Sequence, residues 1–292
     1  DAAEPRRPAL MFTPAKRTLW PSLRALRHLS SRERTIDLKN PPPRYSGIAT
    51  FFRAPFVDMH SQQLSDVDVA ILGVPFDGGV TSRSGCRHGP RSVRDESSNH
   101  IRRVNQATGA APFEAGVAIA DVGDAHVTSP FELTSAHSEI QAHFAALLAQ
   151  GAAPLSVGGD HSCSLPILRA LGARRKAAGL PPLGLLHVDA HADTGDSYAG
   201  SRFHHGAPFK IAVDEGLIDP KRTIQIGIRG SLALADQWEF SHASGMRVMY
   251  IDECLRVGPE GVLAEAQRVC GEQPTYLTFD IDALDPAYAP GT

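Results

Sequence analysis

The stretch Leu185–Asp196, LLHVDAHADTGD, constrains this chain more than any other. An apolar run, Leu183 to Val188 with His187 inside it, reads as a buried strand and ends in a burst of metal-capable side chains. Asp189, His191 and Asp193 follow at i, i+2 and i+4, which puts all three on one face of an extended chain. If that chain stays straight, the outer two lie roughly 13 Å apart, too far for one ion to reach both. Either the backbone bends after Asp189 or the stretch serves more than one ion. Two further stretches have the same character, Gly158–Ser162 (GGDHS) and Phe279–Pro286 (FDIDALDP).

Strand-like and helix-like segments alternate around these stretches. Strands are expected at Val67–Val74, Gly116–Val122, Pro154–Val157, Gly184–Val188, Thr223–Ile228, Arg247–Ile251 and Thr275–Ile281. Helices are expected from Pro90 to about Val104, at Ser129–Gln150, Leu165–Ala178 and His205–Gly216, around Leu234–Ser244, and at Val262–Val269. Alternation with short connections predicts an α/β fold, a doubly wound parallel sheet with helices on both faces. Residues 1–45, rich in Pro and Arg, read as an irregular arm with one short helix around Ser22–Leu29, and 46–292 as a single domain. In such a sheet ligands sit beyond the carboxyl ends of the strands. Gly158–His161, Asp189–Asp193 and Asp280–Asp282 all fall at those ends.

The bulk properties narrow the partners. A net charge of −3 gives no reason to expect nucleic acid or an anionic membrane. No apolar run approaches the roughly 20 residues that span a bilayer. The four cysteines, Cys86, Cys163, Cys254 and Cys270, are widely spaced and form no CxxC, so they read as reduced thiols in a cytoplasmic setting and not as a zinc-thiolate site. The first 40 residues carry nine Arg or Lys against four Asp or Glu. That bias is compatible with organelle targeting, but the acidic residues and prolines favour a surface arm.

Four aspartates, Asp189, Asp193, Asp280 and Asp282, would repel one another in one crevice at a cost of several kcal/mol. Two divalent cations would neutralise them, with His161 and His191 as neutral nitrogen donors. A mixed N/O set rich in carboxylates suits Mn(II) better than zinc, with Ni, Co or Fe compatible by ligand type. Paired ions need bridging carboxylates, and Asp189 and Asp280, first in each acidic group, are the natural bridges. DIDALD also resembles the start of an EF-hand loop, but the glycine and glutamate that such a loop requires are missing.

With these three stretches in view, the chain resembles the ureohydrolase family, which includes arginase, agmatinase and guanidino-acid amidinohydrolases. GGDHS, HVDAHADT and TFDIDALDP match the family signatures, and the similarity runs from about Val67 to Thr292. FHHGAPF, LIDPKRTIQIGIRG and GCRHGPRSVRDES point to the agmatinase branch. The resemblance implies a three-layer α/β/α sandwich and a homo-oligomer, a trimer or hexamer. It implies one Mn(II) on His161, Asp189, Asp193 and Asp280, and another on His191, Asp189, Asp280 and Asp282. It also implies an acid/base role for His205, with His204 the lesser candidate; Asp193 is a second group able to relay a proton to the departing amine. Asp160 and Asp285 are expected to fix loops. The expected reaction is hydrolysis of a guanidino compound of the agmatine, guanidinobutanoate or guanidinopropanoate type to urea and an amine.

Alternatives are guanidine or a biguanide as substrate, a non-catalytic metal-binding subunit that kept the fold, and an amide hydrolase of the related deacetylase architecture. The last would lack the paired DAHAD and DIDALD arrangement. Arg87, Arg91 and Arg94 are candidates for binding a substrate carboxylate, but for Arg91 and Arg94 structural or subunit contacts are the expectation. Family members continue beyond Thr292 with a segment carrying a glutamate that pairs with the guanidinium, so the chain is expected to be truncated at its C-terminus.

Overall fold

Among the described residues seven apolar runs form seven strands, and each meets its neighbours in parallel. The structure, a computed structural model, describes residues 43–99, 104–113, 116–231 and 238–291. The expected arm over residues 1–42, with its short helix, lies outside them. The strands are β1 (Val69–Val74), β2 (Ile119–Asp124), β3 (Ala153–Gly158), β4 (Leu183–Val188), β5 (Ile218–Ile228), β6 (Arg247–Tyr250) and β7 (Thr275–Phe279). The helices are α1 (Gly89–Asn99), α2 (Leu133–Ala149), α3 (Ser164–Ala177), α4 (Pro208–Asp214), α5 (Glu239–Ser244) and α6 (Ile251–Cys270), the last kinked at Gly258 and Pro259.

Alternation along β4 explains the layers. Leu183 and Leu185 pack with Leu168 of α3 and with Phe209 and Ala212 of α4. Leu186 and Val188 point the other way and pack with Ala266 and Cys270 of α6. A strand covered on both faces must be apolar on both, which is why this run does not alternate with polar residues. Ala70, Leu72 and Val74 of β1 join Ile140, Phe144 and Leu147 of α2 in a second core. On the opposite face of β1, a Cβ on Gly73 would lie 2.9 Å from the Pro90 Cβ, so glycine is what lets α1 approach.

The strands are hydrogen-bonded as two parallel blocks, in the orders β2-β1-β3 and β6-β5-β4-β7, where the sequence suggested one ladder. The blocks meet through side chains. The Thr278 hydroxyl of β7 lies 2.9 Å from His161 Nε2, and the Tyr276 hydroxyl lies 3.4 Å from Ser164 Oγ, both on the chain leaving β3. Several element boundaries also differ from expectation; α6 begins at Ile251, eleven residues before the expected Val262, and β2 begins at Ile119 and not Gly116. β5 begins at Ile218, five residues early, because Leu183 and Ile218 pair across the ladder. α4 begins at Pro208, which fits a first helical turn, so His204, His205 and Gly206 lie in the loop before it.

Candidate metal centre

The site is built where β3, β4 and β7 end. After β3 the chain turns at Gly159, whose N–H donates to the Val74 carbonyl at 2.9 Å. A Cβ here would overlap the Phe76 carbonyl, so only glycine allows this close pairing with the loop after β1. Asp160 is buried and fully used. Its Oδ1 accepts from Ser162 N at 2.8 Å and its Oδ2 from Gly79 N at 2.7 Å. It fixes two loops to each other. Asp285 accepts from Ala287 N at 2.8 Å within its own turn.

Thr278 holds one edge of His161, and the other edge, Nδ1, faces three carboxylates. The distances are 2.8 Å to Asp193, 3.1 Å to Asp189 and 3.3 Å to Asp280. Nδ1 is buried and makes no well-directed hydrogen bond. Ligand atoms about 2.1 Å from a common cation stand about 3 Å from one another at neighbouring corners. Each of the three carboxylate oxygens therefore stands from Nδ1 at about the separation of two neighbouring ligands on one cation.

A second group shares Asp189. His191 Nδ1 lies 3.5 Å from Asp189 Oδ1 and 3.0 Å from Asp282 Oδ2, and these three residues can offer an ion one atom each. Asp280 Oδ1 accepts from Asp282 N at 3.1 Å, so the two carboxylates of β7's exit are held side by side.

Of the two possibilities left open by the sequence, the bend is realised. β4 stops at Val188, and Asp193 adopts a left-handed backbone with φ of 48°. Asp189 and Asp193 thereby reach the same imidazole nitrogen instead of lying at the two ends of a straight strand. Aspartate tolerates that conformation better than most residues, but it stores some strain at the site.

The electrostatics reflect the crowding. Hydrogen bonds to Asp189 and Asp282 push His191 up to about 10. Burial alone would lower the His161 imidazole, but Asp189 and Asp193 outweigh it and raise it well above the usual range. Burial likewise disfavours an ionised Asp189, yet His161, His187 and His191 together hold it well below the ordinary carboxylate range. Asp280 is raised by its burial. Repulsion among the aspartates is thus not shared evenly; Asp189 is relieved by three imidazoles. The pocket favours positive charge and suits hard or borderline dications.

His205 sits on the rim. Its backbone N–H donates to Gly79 O at 2.8 Å, and its Nε2 lies 2.9 Å from the Thr81 hydroxyl. His204 points elsewhere, with Nε2 3.2 Å from the Asp196 carbonyl and its ring beside Tyr198. Of the three arginines, Arg87 is paired with Asp77, and Arg94 with Asp121 and Asp124, while Arg91 is exposed. Two buried residues were not singled out from the sequence, His187 and Gln225. Their signal was present, since each is a polar residue inside an apolar strand, LGLLHV and TIQIGI.

The profile of the arginase family matches residues 67–292, which include every residue of this pocket. The chain belongs to the arginase family. Among arginase-family relatives it is 48% identical over 252 residues to a guanidinopropionase of Pseudomonas aeruginosa, covering 86% of this chain and 75% of that one. Among solved arginase-family structures, the proclavaminate amidino hydrolase of Streptomyces clavuligerus superposes with a TM-score of 0.77 at 38% identity, over 86% of this chain and 79% of that one. A variant formiminoglutamase of Trypanosoma cruzi, solved with Mn2+, matches with a TM-score of 0.69 at 26% identity, over 80% and 76%. The three-layer α/β architecture expected from the sequence is that of these structures. No helix of the described residues is long and apolar enough to cross a membrane.

Proposed function

We propose that this chain hydrolyses a guanidino compound to urea and an amine at a centre of two divalent cations, Mn(II) first among them. The observation that carries the reading is the buried His161 Nδ1 facing three carboxylate oxygens at 2.8–3.3 Å. His161, Asp189, Asp193 and Asp280 would hold one ion, and His191, Asp189, Asp280 and Asp282 the other. Two bound dications supply Lewis acidity and make water a nucleophile near neutral pH.

The remaining roles belong to side chains. The four aspartates offset the charge of the two cations that would sit here, so a cationic guanidinium meets no net positive field at the pocket. His205 stands on the loop bordering the pocket with its Nε2 at the Thr81 hydroxyl, and is the residue we assign to deliver a proton to the departing amine. Asp193, beside His161, is the second group able to move that proton. The similarity to a guanidinopropionase favours a short ω-guanidino acid as substrate over agmatine.

The test is urea release from a panel of 3-guanidinopropanoate, 4-guanidinobutanoate, agmatine, guanidine and a biguanide, with Mn(II) or Ni(II) supplied. Turnover confined to the ω-guanidino acids is the expected result. Bound metal without urea from any compound would favour a non-catalytic metal-binding subunit.

A further inference from the structure

Beneath the aspartates runs a buried polar chain to which the proposed reaction gives no role. His187 of β4 is register partner to Gln225 of β5, and neither is exposed to solvent. Gln225 Nε2 lies 2.6 Å from the Ala192 carbonyl and 3.2 Å from His187 Nδ1, and His187 Nε2 lies 2.7 Å from Asp189 Oδ2. One end fixes the direction of every bond. A backbone carbonyl only accepts, so the Gln225 atom facing Ala192 is the amide NH2. The same NH2 faces His187 Nδ1, which therefore accepts. A neutral imidazole carries one proton, so that proton is on Nε2 and is donated to Asp189. The Phe209 ring packs on the imidazole with centroids 4.5 Å apart.

We infer that Gln225 and His187 are a positioning pair that orients the Asp189 carboxylate for both cations and keeps His187 itself from coordinating either. The inference rests on Asp189 being the shared ligand. By proximity alone His187 would pass for a ligand, since it clusters with His161, Asp189 and Asp193. The hydrogen-bond polarity argues otherwise, because an Nε2 that carries a proton has no lone pair to give. Hydrogen bonds of this kind around a metal ligand typically change metal affinity by about 10–100-fold.

The test is calorimetric titration of the full chain with Mn(II), with folding followed by circular dichroism. His187→Leu is expected to weaken Mn(II) binding by about 10–100-fold while still taking two ions at saturation. His187→Gln, whose amide NH2 stands in for Nε2–H, is expected to recover most of that loss. Unchanged affinity in His187→Leu, or loss of one ion in His187→Gln, overturns the proposal. If His187→Leu does not fold, imidazole 15N NMR of the wild-type chain loaded with Zn(II) reads the tautomer directly. A bare Nδ1 and a protonated Nε2 support the pair; a protonated Nδ1 or a zinc-bound Nε2 overturns it. A wild-type chain that binds no Mn(II), or an Asp189→Asn variant that keeps both ions, removes the metal reading, and this proposal falls with it.

Discussion

Asp189 and Asp280 differ only in their neighbours, yet their acidities move in opposite directions. Three imidazoles surround Asp189, whereas burial dominates at Asp280. Asp189 is therefore the position where a single change does most. Asp189→Asn is expected to lose both ions from metal analysis and to abolish urea release. Its loss of metal affinity should exceed the roughly 100-fold that outer partners alone can cause. A second residue-scale expectation concerns His137, buried on α2 with Nε2 3.1 Å from Ser162 Oγ and lowered to about 4 by burial and by Arg169. Because its folded-state value lies below the unfolded one, the unfolded chain binds the extra proton. Stability is full above about pH 6.5 and falls as pH drops toward 4, by roughly 3 kcal/mol for this residue. Denaturant midpoints at pH 7 and pH 5 check this, and His137→Gln, which keeps a polar partner for Ser162, should flatten the dependence.

At the scale of elements, the strands were the most legible part of the sequence. Val69–Val74 and Leu183–Val188 are short apolar runs with polar stops, and a buried parallel strand has few other ways to look. The start of α4 was less legible, because Phe209, Ala212 and Val213 carry helical periodicity that says nothing of where the first turn begins. Pro208 and the hydrogen bond from His205 N to Gly79 O decide that. The turn after β3 has no slack. Gly159→Ala is expected to force the Phe76 carbonyl away, lower stability by about 1–3 kcal/mol in a thermal melt, and displace His161 enough to reduce bound metal.

For the whole molecule, the consequence of gathering three loops where β3, β4 and β7 end is a pocket whose acidic groups repel unless cations are present. Mn(II) at about 100 times its dissociation constant is expected to stabilise the fold by about 2.7 kcal/mol for each independent site, and EDTA to reverse the gain. Melting temperatures that do not respond to Mn(II) or EDTA would contradict the metal assignment. The division of the strands into two hydrogen-bonded blocks was not legible in the sequence, since periodicity identifies strands but not which edges pair. The link between blocks depends on where Thr278 and Tyr276 point once β7 is laid beside β4.

The sequence by itself determined the kinds of donor, the strands that carry them and the edge at which they emerge, because local pattern governs all three. It also carried the family likeness that the profile match bears out. Only the tertiary structure decided that the chain bends between Asp189 and Asp193, that His161 presents Nδ1 and not Nε2 to the carboxylates, and that Gln225 sets the proton on His187. Those are distances and bond directions across different strands, and spacing along one chain cannot fix the separation or orientation of groups brought together from several.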